Sequence, residues 1–170
     1  MNYYLLFFFI LISCSESYQV DTHAEDIHDQ LSTNVEITLT EKGNIKALIK
    51  SRLLERNNDN LELKLTDNVN VDLYDDNYEH SSLITSNYAF VSETENRIDA
   101  FGDVVVAADN GQELWTDSLL WDNKADKIST EAALTFISGN SDTLYGTGFE
   151  SNIDLTDWKI TQPRGSINNE

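Results

Sequence analysis

Very few residues of this 170-residue chain have the types and spacing that bond-making chemistry requires. There is one Cys, Cys14, so an internal disulfide and any multi-Cys zinc site are excluded. His23 and His28 stand among Asp21, Glu25, Asp26 and Asp29, but on a helix a spacing of five turns the two rings about 140° apart, off the common face that a metal pair needs. The run from Asp72 to Asn77 is rich in Asp and Asn, yet it lacks the Asp-x-Asp-x-Asp-Gly order of a calcium loop and reads as a turn. With 30 Asp and Glu in the chain, carboxylates fall near one another by number alone, so acidic pairs do not single out a hydrolase. No Gly-x-Ser-x-Gly, His-Glu-x-x-His or phosphate-cradling glycine loop is present. The expectation is a protein without catalytic residues, metal or cofactor. A formal net charge of -19 also excludes a nucleic-acid binder held by phosphate contacts.

Cys14 is informative because of where it sits. Tyr3 to Ile12 is an uninterrupted apolar run, too short for the roughly 20 residues that span a bilayer and of the length of a signal-peptide core. It leads into Leu11-Ile12-Ser13-Cys14, which resembles the bacterial lipobox, although the usual basic start is missing. That resemblance implies cleavage before Cys14, acylation of its sulfur and amine, and a stable membrane tether, since two or more acyl chains hold where one is marginal. The expected organisation is a lipoprotein signal peptide over 1–13, the lipidated Cys and a polar tether over 14–34, a β domain over 35–165, and a short tail over 166–170.

From Val35 onward the chain alternates with a period of two: Val35, Ile37, Leu39; Ile45, Ala47, Ile49; Leu61, Leu63, Leu65; Val69, Val71, Leu73. Turn signals separate these runs at 41–44, 57–60, 75–77, 109–111, 122–124 and 138–140, and no long amphipathic helix is supported. The pattern also repeats. Val104, Val106, Leu114, Thr116, Leu119, Trp121, Ile128 and Thr130 match Leu134, Phe136, Leu144, Gly146, Phe149, Ser151, Trp158 and Ile160 at a constant shift. One unit earlier, Leu83, Thr85, Tyr88 and Phe90 are aligned with Leu114, Thr116, Leu119 and Trp121, one residue off that shift. Each unit of about 30 residues reads as three short strands, and none can bury its own apolar face. Stacked units predict an all-β fold, one long antiparallel sheet folded over on itself. By alternation the inward positions are Val69, Val71, Leu83, Phe90, Val104, Val106, Leu119, Trp121, Leu134, Phe136, Leu144 and Phe149. Val105, Trp115, Ile137 and Tyr145 fall on the opposite face.

Gly102-Asp103-Val104-Val105-Val106, Leu114 to Asp122 and Asp126 to Thr130 resemble the OstA-type repeat of lipopolysaccharide export. Asp142-Thr143-Leu144-Tyr145-Gly146-Thr147-Gly148-Phe149-Glu150-Ser151, followed by Leu155 and Trp158-Lys159-Ile160, resembles the C-terminal signature of the LptC family. The likeness covers roughly 35–165 and is strongest from Gly102 onward. It implies an open, twisted β-jellyroll on the periplasmic face of the inner membrane, between the Lpt ABC transporter and a periplasmic bridge protein similar to LptA. Members commonly carry an N-terminal transmembrane helix, where this chain offers a lipobox.

The family's cargo has several acyl chains, each methylene costing about 0.8 kcal/mol in water, so a shielded path is needed. The twelve inward positions are the expected acyl-chain groove. The acidic surface disfavours capture of phosphorylated headgroups. An open sheet also leaves unpaired edges that a like-folded neighbour can extend. Val35 to Leu39 is the expected edge toward the transporter. Gly146, Leu155, Trp158 and Ile160 mark the expected edge toward the bridge protein, with pairing expected to stop before Pro163. The competing reading is an acidic cell-envelope lipoprotein whose β-face binds glycan or protein, with Trp115, Tyr145 and Trp158 stacking on sugars.

Overall fold

The computed structural model describes residues 30–57, 62–92 and 94–164; Cys14, His23 and His28 lie outside them. Nine strands follow one another: β1 (Gln30–Glu41), β2 (Asn44–Asn57), β3 (Glu62–Tyr74), β4 (His80–Ser92), β5 (Arg97–Ala108), β6 (Glu113–Asp122), β7 (Lys127–Ile137), β8 (Thr143–Asn152) and β9 (Trp158–Arg164). Each pairs antiparallel with its sequence neighbour in one sheet of order β1 to β9, so β1 and β9 are its edges. The all-β, open-sheet expectation is met. The first strand begins at Gln30, ahead of the alternation that starts at Val35.

The turns close where short polar residues offer the backbone a local partner. Asp75 accepts from the N–H groups of Asn77 (2.8 Å) and Glu79 (2.9 Å), and Asp122 accepts from those of Lys124 (2.9 Å) and Ala125 (3.1 Å). Lys42 and Gly43, both at positive φ, form the two-residue turn between β1 and β2.

Halfway along, the strands bend. Pairing slips between Lys50 and Leu53 in β2, Thr66 and Val69 in β3, Thr85 and Tyr88 in β4, Phe101 and Val104 in β5, Thr116 and Leu120 in β6, and Thr130 and Ala133 in β7. These bulges line up into a crease across the sheet. Hydroxyls serve the backbone groups that the slip frees: Ser51 donates to Thr66 O (2.7 Å), Ser86 to Tyr88 O (3.2 Å) and Thr116 to Ala133 O (3.0 Å). A straight 13-residue strand would span about 43 Å. Yet the β5–β6 turn, at one end of the strands, touches the β8–β9 turn, at the other end, through Asn110 Nδ2 and Asp154 O (2.6 Å). The sheet is therefore folded in two along the crease. One arm carries the β1–β2, β3–β4, β5–β6 and β7–β8 turns, and the other carries the rest.

The crease corrects the repeat. In β4, after Ser81 at its start, the buried residues are Ser82, Ile84 and Ser86, then Ala89 and Val91, so the buried parity changes at the bend; in β6 it does the same, from Leu114 and Thr116 to Leu119 and Trp121. Ile84, Ser86, Ala89 and Val91 stand 30 residues before Leu114, Thr116, Leu119 and Trp121, so the shift is constant and the one-residue offset of Leu83 to Phe90 is wrong. The unit is also a two-stranded hairpin, not three strands: β4 with β5, β6 with β7, β8 with β9.

Candidate functional site

The inner face of the folded sheet is an apolar layer contributed by β2 to β8. Nine of the twelve inward positions lie in it: Val69, Val71, Val104, Val106, Leu119, Trp121, Leu134, Phe136 and Phe149 are all at most 5% exposed. Leu144 packs against them, partly buried. Leu83 and Phe90 do not join the layer. They alternate with the buried Ile84, Ala89 and Val91 and so lie on the outer face, where Leu83 pairs with Asp72 and Phe90 with Lys64. The reason is the offset described above: reading β4 one residue out of step exchanges its faces. Ile49, Leu65, Leu73, Ile84, Ile98, Leu114 and Ile128 are inner-face residues that belong with the nine, each at most 1% exposed. Their signal was available in the alternation.

The inner face is packed against itself. Trp121 is 1% exposed and Phe136 0%, with Phe149 and Trp158 rings 5.3 and 4.8 Å from Phe136. The positions expected to form an acyl-chain groove do not line an empty slot. Among the described residues the layer is filled by its own side chains. The sheet nevertheless stays open at its edges, because β1 and β9 pair on one side only.

The edges differ from expectation in detail. β9 runs from Trp158 to Arg164 and its pairing with β8 continues through Pro163, opposite Gly146. An edge strand tolerates a proline whose missing N–H faces away from the ladder. Leu155 is in the preceding turn at φ 61° and is fully buried, so it presents nothing at the edge. Gly146 lies on β8, one strand in. A Cβ there would collide with the Ile160 side chain and sit 2.9 Å from Gln162 O, so glycine lets β9 come this close. Trp158 and Ile160 are on the edge strand, Ile160 partly against the core.

Where the two arms meet, turns from both ends of the strands surround a recess of about 450 Å³. Asp75, Asp76, Glu79 and Asp109 come from one arm, Asp126 and Asp154 from the other. Lys46, on β2, bonds Asp76 with a side chain only 10% exposed, and it is the sole Lys, Arg, Asp or Glu buried among the described residues. The Asp76 bond outweighs desolvation and holds the ammonium pKa above its ordinary value. Asp126 is pushed the other way for an acid. Partial desolvation, then the neighbouring carboxylates of Asp76, Asp154 and Asp75, raise its pKa against the pull of Lys46. His80 is bound at Nδ1 by the Asp109 carboxylate (2.9 Å). Nothing in the periodicity announced Lys46, because the β1–β2 register slips there and leaves it as the extra residue, buried beside Ala47, and a bulge has no hydrophobic signature. The described residues hold no cluster of three or more His, Cys, Asp or Glu with metal-binding geometry.

On the outer face one register row crosses the sheet as Val105, Trp115, Thr135, Tyr145 and Arg164. Trp115 is 47% and Tyr145 53% exposed, and the Trp115 indole donates to Glu113 (3.1 Å). On the other arm Tyr88 stacks on Phe101, with centroids 5.3 Å apart, and Phe90 meets Phe101 edge-on.

No helix among the described residues is long and apolar enough to cross a membrane. No curated protein matches the chain. The family model described as lipopolysaccharide-assembly, LptC-related, matches residues 3–163. With a single open antiparallel sheet and a match over nearly its whole length, the chain belongs to the LptC-related family of lipopolysaccharide-assembly proteins.

Proposed function

We propose that this protein receives lipopolysaccharide from the inner-membrane ABC transporter and passes it to a periplasmic bridge protein, its acyl chains carried against the inner face of the folded sheet. Family membership carries the general role, lipopolysaccharide transport by a component of no known enzyme class acting in the periplasm at the inner membrane. The observation that supports the finer reading is the combination of a continuous apolar inner face with two edge strands that are each paired on one side only. Acyl chains need an apolar surface without polar clamps, because cargo that must slide cannot rest in one deep well. The edge strands supply the N–H and C=O groups by which like-folded neighbours would extend the sheet, β1 toward the transporter and β9 toward the bridge protein. Acylated Cys14 would hold the domain at the membrane, with 14–29 and the start of β1 as its tether.

Photocrosslinking tests the reading directly. A photoreactive residue at position 121 or 149, on the inner face, is expected to form lipopolysaccharide adducts in cells, whereas one at position 90, on the outer face, is not. Adducts from 90 alone would place the cargo outside and support the glycan-binding alternative instead.

A further inference from the structure

The repeat is broken once, and the break lies at the meeting of the two arms. Equivalent core positions are eight residues apart across the β5–β6 turn, Val106 to Leu114, and across the β7–β8 turn, Phe136 to Leu144; across the β3–β4 turn, Val71 to Ile84, they are thirteen apart. Five added residues are not needed to close a hairpin, since two neighbouring hairpins do without them. What they do is carry Asp75, Asp76 and Glu79 out to the place where the β6–β7 and β8–β9 turns arrive from the other arm. Asp76 there holds the buried Lys46. One hydrogen bond then joins the arms, from Asn110 to Asp154 O (2.6 Å), beside the carboxylates that line the recess from both sides.

We propose that this mouth is a latch on lipid entry, in which the Asn110–Asp154 contact joins the arms and buried Lys46, gripped by Asp76, offsets the carboxylates gathered around the recess, so that the folded sheet stays shut. The inference rests on the reading that acyl chains occupy the inner face, which is filled until the arms part. The latch is weak by construction. Asp75, Asp76, Glu79 and Asp109 face Asp126 and Asp154 across the recess, and like charges at such range repel. Removing Lys46 leaves those carboxylates facing each other without their buried counter-charge, which loosens closure. Asp126 acts in the opposite sense. Its carboxylate is one of those that face each other across the recess, so a neutral isostere there relieves repulsion and tightens closure. Lys46 is a positioning residue: it touches no cargo and sets how readily the inner face becomes available.

The test uses the full chain with Cys14→Ser to remove the competing thiol, Asn110→Cys and Asp154→Cys at the mouth, and a photoreactive residue at 149. One sample is bridged with a short bis-maleimide and another is capped with a mono-maleimide; both are offered lipopolysaccharide. The capped protein is expected to form adducts and the bridged protein to lose them. Equal adducts in both overturn the latch and leave the inner-face reading standing. No adduct in the capped protein removes the inner-face reading itself, and the latch with it. In the otherwise native chain, Lys46→Gln is expected to speed adduct formation up to about fivefold, the scale of one partly screened charge contact, and Asp126→Asn to slow it. Shifts of the two variants in the same direction overturn the proposal.

Discussion

Both faces of the sheet carry large aromatic rings, and only one face is a core. Trp121, Phe136 and Phe149 are at most 2% exposed on the inner side, whereas Trp115 and Tyr145 are about half exposed on the outer side. The difference is not in residue type. It lies in which side of the crease and which parity each residue occupies, because folding the sheet in two covers one face and leaves the other to water. Outer rings find partners along the sheet, Tyr88 on Phe101 and Trp115 beside Thr135, and strengthen pairing between strands. Inner rings find partners across the fold and hold the two arms together.

Charge tests the comparison most severely. Val106 is fully buried and Val105, its neighbour, faces outward. Val106→Asp is expected to abolish folding, because an unpaired carboxylate in the layer costs several kcal/mol. Val105→Asp is expected to leave a cooperative thermal transition. Equal damage from both, read by circular dichroism, would break the distinction between the faces. Truncation gives the next largest effect. Phe136→Ala should cost about 3–5 kcal/mol in urea unfolding and Trp115→Ala roughly 1 kcal/mol or less. A Trp115→Ala cost matching that of Phe136→Ala would show the outer row to be a second core. The crease gives the smallest. Thr116→Val keeps the shape and leaves Ala133 O without its donor, with an expected loss of about 1 kcal/mol.

Much of this was legible in the residues. Strand alternation, the turns at 41–44, 75–77, 109–111, 122–124 and 138–140, and nine of the twelve inward positions follow from period two and turn chemistry alone. Leu83 and Phe90 were misplaced because a bulge exchanges the faces of a strand at one residue, and a bulge has no hydrophobic signature. Its trace is polar and easily passed over: Ser86, Thr116 and Gly146, spaced by 30, mark the bend in three successive hairpins. Leu155 was assigned to the edge because apolar residues next to a strand look like strand, whereas a left-handed turn sends its side chain into the core.

By itself the order of residues determined the local matters: which stretches extend, where they turn, that successive hairpins repeat, and the resemblance to the LptC family. Each depends on neighbours within a few positions or on self-similarity, and both are written along the chain. Only the tertiary structure decided that the sheet folds onto itself, that its inner face is filled, and that Asp76 and Asp126 line one recess. Those outcomes depend on a bend angle summed over many strands, which brings residues as far apart as 76 and 154 to one recess and leaves no trace at any single one of them.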